Sequence, residues 1–288
     1  MNEAIENLKL VLTSPRPRAP GTLTSYLQTA KVFLDFLDTI QQPTDKDFRR
    51  YFLHRREQGV SERTLTKEFV HLRKLALAND WPWPFTSDDR PVAEEEPFAP
   101  AFTLDEIETL IKARDEYSRG ELFYLAVSTT WGLRREEMIR IRKRDYTETT
   151  VKIKTAKHGP RVEHIIPDEI NPILRDYHPK INNINSLSYM FYRILRKAGL
   201  GQRKGYGWHS TRRTLRTLLE FGLAENRLPL SLVADFMGWS RSQKGIVYGG
   251  AAMLGVYSHP EILSTDPFGV DKLVLSVHPF IKLWGSKG

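Results

Sequence analysis

Residues 81–100, WPWPFTSDDRPVAEEEPFAP, hold five prolines and an acidic run, and their reading decides the architecture. Proline lacks the N–H that a helix needs and clashes with the preceding turn, so no helix runs through this stretch. Composition shifts more sharply here than anywhere else in the chain. The expected organisation is a helical domain over 1–87, an extended linker over 88–100 and a second domain over 101–288. A chain of 288 residues is long for one compact domain and comfortable for two. With 40% hydrophobic residues, both have enough apolar material for a core.

The segment before the break is helical. Leu23, Tyr26, Leu27, Ala30, Phe33, Leu34 and Leu37 recur at the spacing of one helical face. Pro43-Thr44-Asp45 opens a second helix carrying Phe48, Tyr51 and Phe52, which Gln58-Gly59 closes. Ser61 is placed to cap a third, in which Leu65, Phe69, Leu72 and Leu75 face inward. Arg63, Lys67, His71, Arg73 and Lys74 occupy the rest of that helix. They make either a solvated face or a phosphate-contacting one.

The segment after the break mixes types. Thr103-Leu-Asp-Glu106 is a capping-box pattern. Helices are expected through Phe123–Thr130 and Arg134–Arg142. Residues 149–166 alternate with β-branched side chains around His158-Gly159-Pro160, the pattern of a hairpin. Helices dominate again from Ile170 to about Tyr257. The fold class is therefore mainly α with a small β-hairpin.

Composition narrows the chemistry. Lys+Arg number 43 and Asp+Glu 35, a formal charge of +8 that suits a polyanionic partner without demanding one. The absence of cysteine excludes disulfides, thiolate nucleophiles and Cys-ligated metal centres. The first residues, MNEAIENLKLVLTS, do not read as a signal peptide, and no apolar run is long enough to span a bilayer. A cytoplasmic, nucleoid-associated protein is the expectation.

Four segments carry candidate chemistry. In the first, Gly132-Leu-Arg134 opens a helix whose N-terminus favours anions, and Glu137 is placed to brace the guanidinium or cap the backbone. The plain alternative is a basic surface helix, with Arg135 and Arg140 paired to nearby glutamates. The second is Trp208-His209-Ser-Thr-Arg212, which sets an imidazole and a guanidinium on one helix face. Such a pair suits a pentacovalent phosphate, the arginine neutralising oxygens and the histidine handling a proton. The third is the hairpin Lys152-Ile-Lys154-Thr-Ala-Lys157-His-Gly-Pro-Arg161, whose lysines are either leaving-group acids or edge charges. The fourth is Met237-Gly238-Trp239 with Tyr248 and Tyr257 beyond it. A tyrosine attacks only where cations stabilise the phenolate, its pKa being ~10 in water.

Taken together these segments resemble the tyrosine recombinase, or phage integrase, family. The matching residues are Gly132-Leu-Arg134-x-x-Glu137 with Asp145, the hairpin lysine, His209-x-x-Arg212, and Gly238-Trp239 followed by a tyrosine. The basic three-helix segment at 22–80 looks like the family's SAM-like core-binding domain. The resemblance implies that Arg134 and Arg212 grip the non-bridging oxygens of a scissile DNA phosphate. It implies proton transfer by His209, and for Trp239 a hydrogen bond to that phosphate. Lys157 best matches the family's hairpin lysine, with Lys154 a competitor, and Glu137 is given a structural role. The usual spacing from Trp239 lands on Tyr248, but Gly249-Gly250 is a poor helix interior. Tyr257, followed by Ser-His-Pro, stands in a context more like the family's, so it is favoured as nucleophile with Tyr248 the alternative.

The function implied is a site-specific recombinase that cuts and rejoins double-stranded DNA through a 3′-phosphotyrosyl intermediate and a Holliday junction. It would act as a homotetramer without cofactor or metal. Arg63, Lys67, Arg73 and Lys74 would contact DNA. The apolar stretch Val277–Trp284 would dock on a neighbouring protomer or pack on its own domain. The rival readings are a type IB topoisomerase and a non-catalytic basic DNA-binding regulator.

Overall fold

The computed structural model describes residues 2–37, 42–92, 99–156, 161–239 and 266–286. The chain divides into two compact units, Met1–Phe98 and Ala99–Gly288. Four helices build the first: α1 (Asn2–Thr13), α2 (Pro20–Leu37), α3 (Asp45–Glu57) and α4 (Glu62–Ala78). Ser61 caps α4 by accepting from the Thr64 amide. Leu65, Phe69, Leu72 and Leu75 of α4 are buried as their spacing predicts, against Leu8, Phe33, Phe48 and Tyr51.

Polar residues also enter this core, each with a partner. Glu68 is buried and accepts from the Tyr51 hydroxyl at 3.0 Å and from the Arg55 fork at 2.7 and 3.1 Å. His71, expected among the surface charges of α4, is buried as well. Its Nδ1 lies 2.9 Å from the Thr29 hydroxyl, and its ring stacks on Tyr26 at 3.9 Å. Position 71 shares the inward arc with Glu68, Leu72 and Leu75, and α2 supplies a hydroxyl and an aromatic face there. The aromatics after α4 dock on the same core, Trp83 lying 5.2 Å from Phe48 and 5.1 Å from Phe69. Thr66 then donates to the Pro91 carbonyl at 2.6 Å, so anchoring to this unit reaches into the span assigned to linker from sequence.

The second unit starts with α5 (Leu104–Lys112), closed at its head by the Thr103–Glu106 capping box. At its centre is α6 (Arg119–Trp131), buried along almost its whole length. A single turn, α7 (Arg135–Met138), precedes a two-stranded antiparallel sheet, β1 (Thr150–Lys154) and β2 (Arg161–Ile165). Next come α8 (Asn171–Arg175), α9 (Ile184–Lys197), α10 (Trp208–Glu225) and α11 (Ser231–Phe236). α6 packs against α8, α9 and α10, the last meeting α11. Two short helices, α12 (Gly269–Ser276) and α13 (Ile281–Gly285), complete the described chain.

The C-terminal stretch packs on its own unit. Asp271 of α12 pairs with buried His164 at 2.9 Å and accepts the Ile165 amide of β2 at 2.6 Å. The Trp284 indole donates to Thr129 at 3.1 Å, and Arg114 donates to the Trp284 carbonyl at 2.8 Å. Between them His278 is buried, Nε2 donating to the Thr130 carbonyl at 2.9 Å while Nδ1 accepts the Phe280 amide at 3.1 Å. Both ring nitrogens are therefore committed to the neutral form. Among the described residues no helix is long and apolar enough to cross a membrane.

Burial pushes His278 down to about 4, against the weaker upward pull of its bond to Thr130, and burial pushes His71 down to about 4 as well. The unfolded chain binds these protons near pH 6.5. Stability is thus complete above that pH and is lost as pH falls toward 4. We expect the melting temperature to drop over this window. In His278→Asn, which keeps an acceptor for the Phe280 amide, the protein should be less stable at pH 7 and its pH dependence shallower. Equal slopes in the two proteins would remove His278 as a source.

Candidate functional site

The site grows from two glycine turns that meet on one arginine. α6 ends at Gly132, in the left-handed region at φ +59°. A Cβ there would come within 2.9 Å of Met237 Cε and 3.2 Å of Leu215 Cδ2. The chain then turns so that Arg134 stands at the head of α7. Glu137 reaches back from the same turn and does both things its position allowed. One carboxylate oxygen accepts the Arg134 amide at 2.7 Å. The other accepts the Arg134 guanidinium at 2.7 Å and the Ala156 amide, beyond β1, at 2.8 Å.

The helix expected over Arg134–Arg142 is only Arg135–Met138. Arg142 donates to the carbonyls of Ile139 at 2.6 Å and Ile141 at 2.9 Å, acceptors that a continuing helix would have bonded along its own backbone. Neither Arg135 nor Arg140 pairs with a glutamate among the described residues. Arg135 instead donates to Ser188 of α9 at 2.9 Å.

Arg212, in the first turns of α10, is buried. Its fork donates to the Gly132 carbonyl and, at 3.3 Å, to the Met237 carbonyl, joining the two turns. A Glu137 oxygen lies 4.0 Å away. Burial first, then the charge of Arg134, pushes Arg212 down to about 9, where it is still a cation at neutral pH. Burial works to raise the Glu137 carboxyl. The amides of Ala156 and Arg134 and the charges of Arg212 and Arg134 outweigh it and hold the group below the ordinary range. One carboxylate thus serves two guanidiniums, and the cluster carries a net positive charge.

His209, one turn before Arg212, is exposed. Partial loss of solvent, then Arg135, Arg212, Arg213 and Arg134, holds it below the ordinary histidine range. At pH 7 it is therefore neutral and able to accept a proton. The second turn, Met237-Gly238-Trp239, has Gly238 at φ +63°. A Cβ on Gly238 would stand 2.3 Å from Thr155 Cγ2 and 3.0 Å from Val162 Cγ2. Only glycine lets this turn lie against the hairpin and carry Trp239 beside α10, where the Arg216 guanidinium sits 5.1 Å from the Trp239 ring.

Arg134, His209, Arg212 and Trp239, spread over a hundred positions of sequence, thus converge around Glu137 and the two glycines. Lys157, Tyr248 and Tyr257 lie outside the described residues. Lys154 is exposed on the hairpin. In the first unit Arg63 and Lys67 are exposed on α4 and Lys74 is half-buried. At 100° per residue these three form one stripe, with Arg73 flanking it. Sequence reasoning did not single out Arg216. Its signal was there, since it follows Arg212 by four residues and so shares its helix face.

Gly238→Ala should destabilise the protein by about 2 kcal/mol or more, combining left-handed strain with overpacking. Adding Thr155→Ser removes the nearest methyl and should recover part of that loss. Urea unfolding of the four proteins of this cycle measures the coupling, and strict additivity would exclude the contact as the cause.

Residues 5–77 match the family model described as "Phage integrase, N-terminal SAM-like domain". No curated protein matches the chain by sequence. Among solved structures, lambda integrase residues 75–356 bound to DNA is similar at TM-score 0.65 and 14% identity, covering 84% of this chain and 92% of that one. The Tn1549 transposon integrase in complex with transposon right-end DNA gives 0.60 and 15%, covering 90% and 99%. The XerH site-specific recombinase bound to difH, a pre-cleavage complex, gives 0.57 and 16%, covering 88% and 84%. Residues 5–77 thus match the phage integrase N-terminal SAM-like domain, and most of the chain shares the fold of lambda integrase, the Tn1549 integrase and XerH.

Proposed function

We propose that the protein is a site-specific DNA recombinase that breaks and rejoins strands through a tyrosine. The observation that carries this reading is the cluster of Arg134 and Arg212 sharing the single carboxylate of Glu137, with neutral His209 at its exposed edge. Two guanidiniums with one counter-charge lack an anion, and a phosphodiester supplies it. As phosphorus passes through a pentacovalent state its oxygens gain charge, which fixed cations at a partly dry site stabilise strongly. This is the neutralisation that divalent cations provide in two-metal nucleases.

In the proposed reaction the tyrosine oxygen bonds to phosphorus as the bond to the 5′ oxygen breaks. The phenolic proton passes to His209, and the departing 5′ oxygen takes a proton from the hairpin lysine. The phosphotyrosyl bond keeps the energy of the phosphodiester, so the 5′ hydroxyl of a partner strand reverses the step without ATP. We assign the nucleophile to Tyr257, with Tyr248 the alternative, and the acid to Lys157. For the lysine the support is that Lys154 lines a cavity containing none of Arg134, His209, Arg212 or Trp239. The α4 stripe of Arg63, Lys67 and Lys74, with Arg73 beside it, would contact duplex backbone and place the protein on its site. Lambda integrase appears among the similar structures as a tetramer bound to a Holliday junction, which supports a tetrameric assembly on DNA here.

Incubation with a nicked duplex carrying the cognate site, in EDTA, should trap a covalent protein–DNA adduct. The adduct should vanish in Tyr257→Phe and persist in Tyr248→Phe. The reverse pattern moves the nucleophile to Tyr248, and persistence in both excludes a tyrosine at either position. A wild-type protein that binds this duplex and never forms the adduct is a regulator. One that relaxes DNA at a single site, with no need of a second, is a topoisomerase.

A further inference from the structure

Beside the catalytic cluster lies a second, differently built patch of charge. A cavity of about 360 Å³ opens between the chain after α7 and the outer face of the hairpin. It is lined by Arg140, Arg142, Arg144, Lys152, Lys154 and Arg161, with Glu137 and Asp145 the acidic residues at its wall. Of Arg134, His209, Arg212 and Trp239, none lines it.

Both acids are already committed. Asp145 accepts the Arg142 amide at 2.8 Å, and Glu137 is held by Arg134 and Ala156. Two of the cations are committed too. Arg142 bonds the carbonyls of its own turn and, at 3.1 Å, Asn182, while Lys152 faces Glu163 at 3.7 Å. Arg140, Arg144, Lys154 and Arg161 are exposed, and none has an ion pair among the described residues.

The strand register sharpens the point. Lys152 stands opposite Glu163, but the next outward pair sets Lys154 opposite Arg161. Like charges directly opposed across two strands destabilise a hairpin. Four cations stand around one depression, two of them opposed across a ladder, and none has an ion pair among the described residues.

We propose that this cavity binds a second, non-scissile DNA phosphate, gripped by Arg140, Arg144, Lys154 and Arg161. The inference rests on the recombinase reading for its ligand, a phosphodiester of the same duplex. It adds a contact beyond the scissile phosphate, at a cavity whose wall includes Glu137, the partner of Arg134. Occupation relieves the Lys154–Arg161 repulsion, so bound DNA also stiffens the end of the ladder next to the turn.

The test is the salt dependence of binding to a 30-base-pair duplex bearing the cognate site. Each phosphate contact contributes about 0.9 to the slope of log K against log salt. Arg140→Gln with Arg144→Gln, which removes half of the grip on this one phosphate, should lower that slope by up to about 0.9 and weaken binding by up to roughly tenfold at 0.1 M salt. Arg140→Lys with Arg144→Lys, keeping both charges, should retain the wild-type slope. Thermal unfolding of both variants checks that they are folded.

A glutamine variant that is folded and has the wild-type slope overturns the proposal while leaving the recombinase reading intact. A wild-type protein that neither binds duplex nor forms the covalent adduct overturns the recombinase reading itself. Inorganic tripolyphosphate provides the remaining arm. Its binding to a wild-type protein that ignores duplex, lost in the glutamine variant, would make this a small-anion site and overturn the DNA assignment.

Discussion

The buried carboxylate of Glu137 is the constraint on which the second unit is arranged. It accepts from the backbone at Arg134, from the Arg134 side chain and from the backbone beyond β1, with Arg212 at ion-pair distance. An unpaired carboxylate at this depth would cost several kcal/mol. Here two amides and two guanidiniums share that cost among three segments of the chain, so each is fixed relative to the others. The arrangement is asymmetric in a useful way. Removing the guanidinium partners would leave the buried carboxylate without a counter-charge, at about 3–5 kcal/mol for a broken buried pair, whereas with every bond closed the cluster is still positive.

Arg212 performs the complementary task. Its fork is spent on two backbone carbonyls, at Gly132 and Met237, both in left-handed turns where glycine sits within about one atom's width of a neighbour. A guanidinium used this way is a strut. It holds the turn before Arg134 at a set distance from the turn before Trp239. Its charge, poorly solvated and facing Arg134, is unsatisfied by carbonyl dipoles alone. The glycines matter because the strut is short. A side chain at either position would push the turns apart and leave the fork bonding to only one of them.

How far the sequence disclosed this depends on the range of the interaction concerned. Short-range features were legible: the Ser61 and Thr103 caps, the inward stripe of α4, the hairpin, and the Arg134–Glu137 brace three residues apart. The convergence of Arg134, His209, Arg212 and Trp239 was legible only jointly, through resemblance, since each motif alone is common. What escaped reading depends on partners distant in sequence. His71 looks like one more basic residue of α4 until α2 places Thr29 and Tyr26 against it. The early end of α7, after which the Arg142 side chain bonds the Ile139 and Ile141 carbonyls, is something no periodicity encodes. The Ala156 amide carries no side-chain signal at all.

The distribution of charge gives the last step. Among the described residues, several buried or half-buried carboxylates elsewhere are matched by cations. Glu68 takes Arg55, Glu106 takes Arg203, and Glu121 takes both Arg193 and Lys197 at the surface. Around Glu137 the balance differs, because two guanidiniums share one carboxylate and further cations line the neighbouring cavity. Asp145 shows this most directly, since cations crowd the same cavity yet its hydrogen bond goes to the Arg142 amide. Neutralising the region from within would have needed only two or three acidic residues at exposed positions, a change with little structural cost. Arg134 and Arg212 share the one carboxylate of Glu137, and Arg140, Arg144, Lys154 and Arg161 around the neighbouring cavity have no ion pair among the described residues, an excess of positive charge that supports the proposed binding of an anion extending beyond a single phosphate.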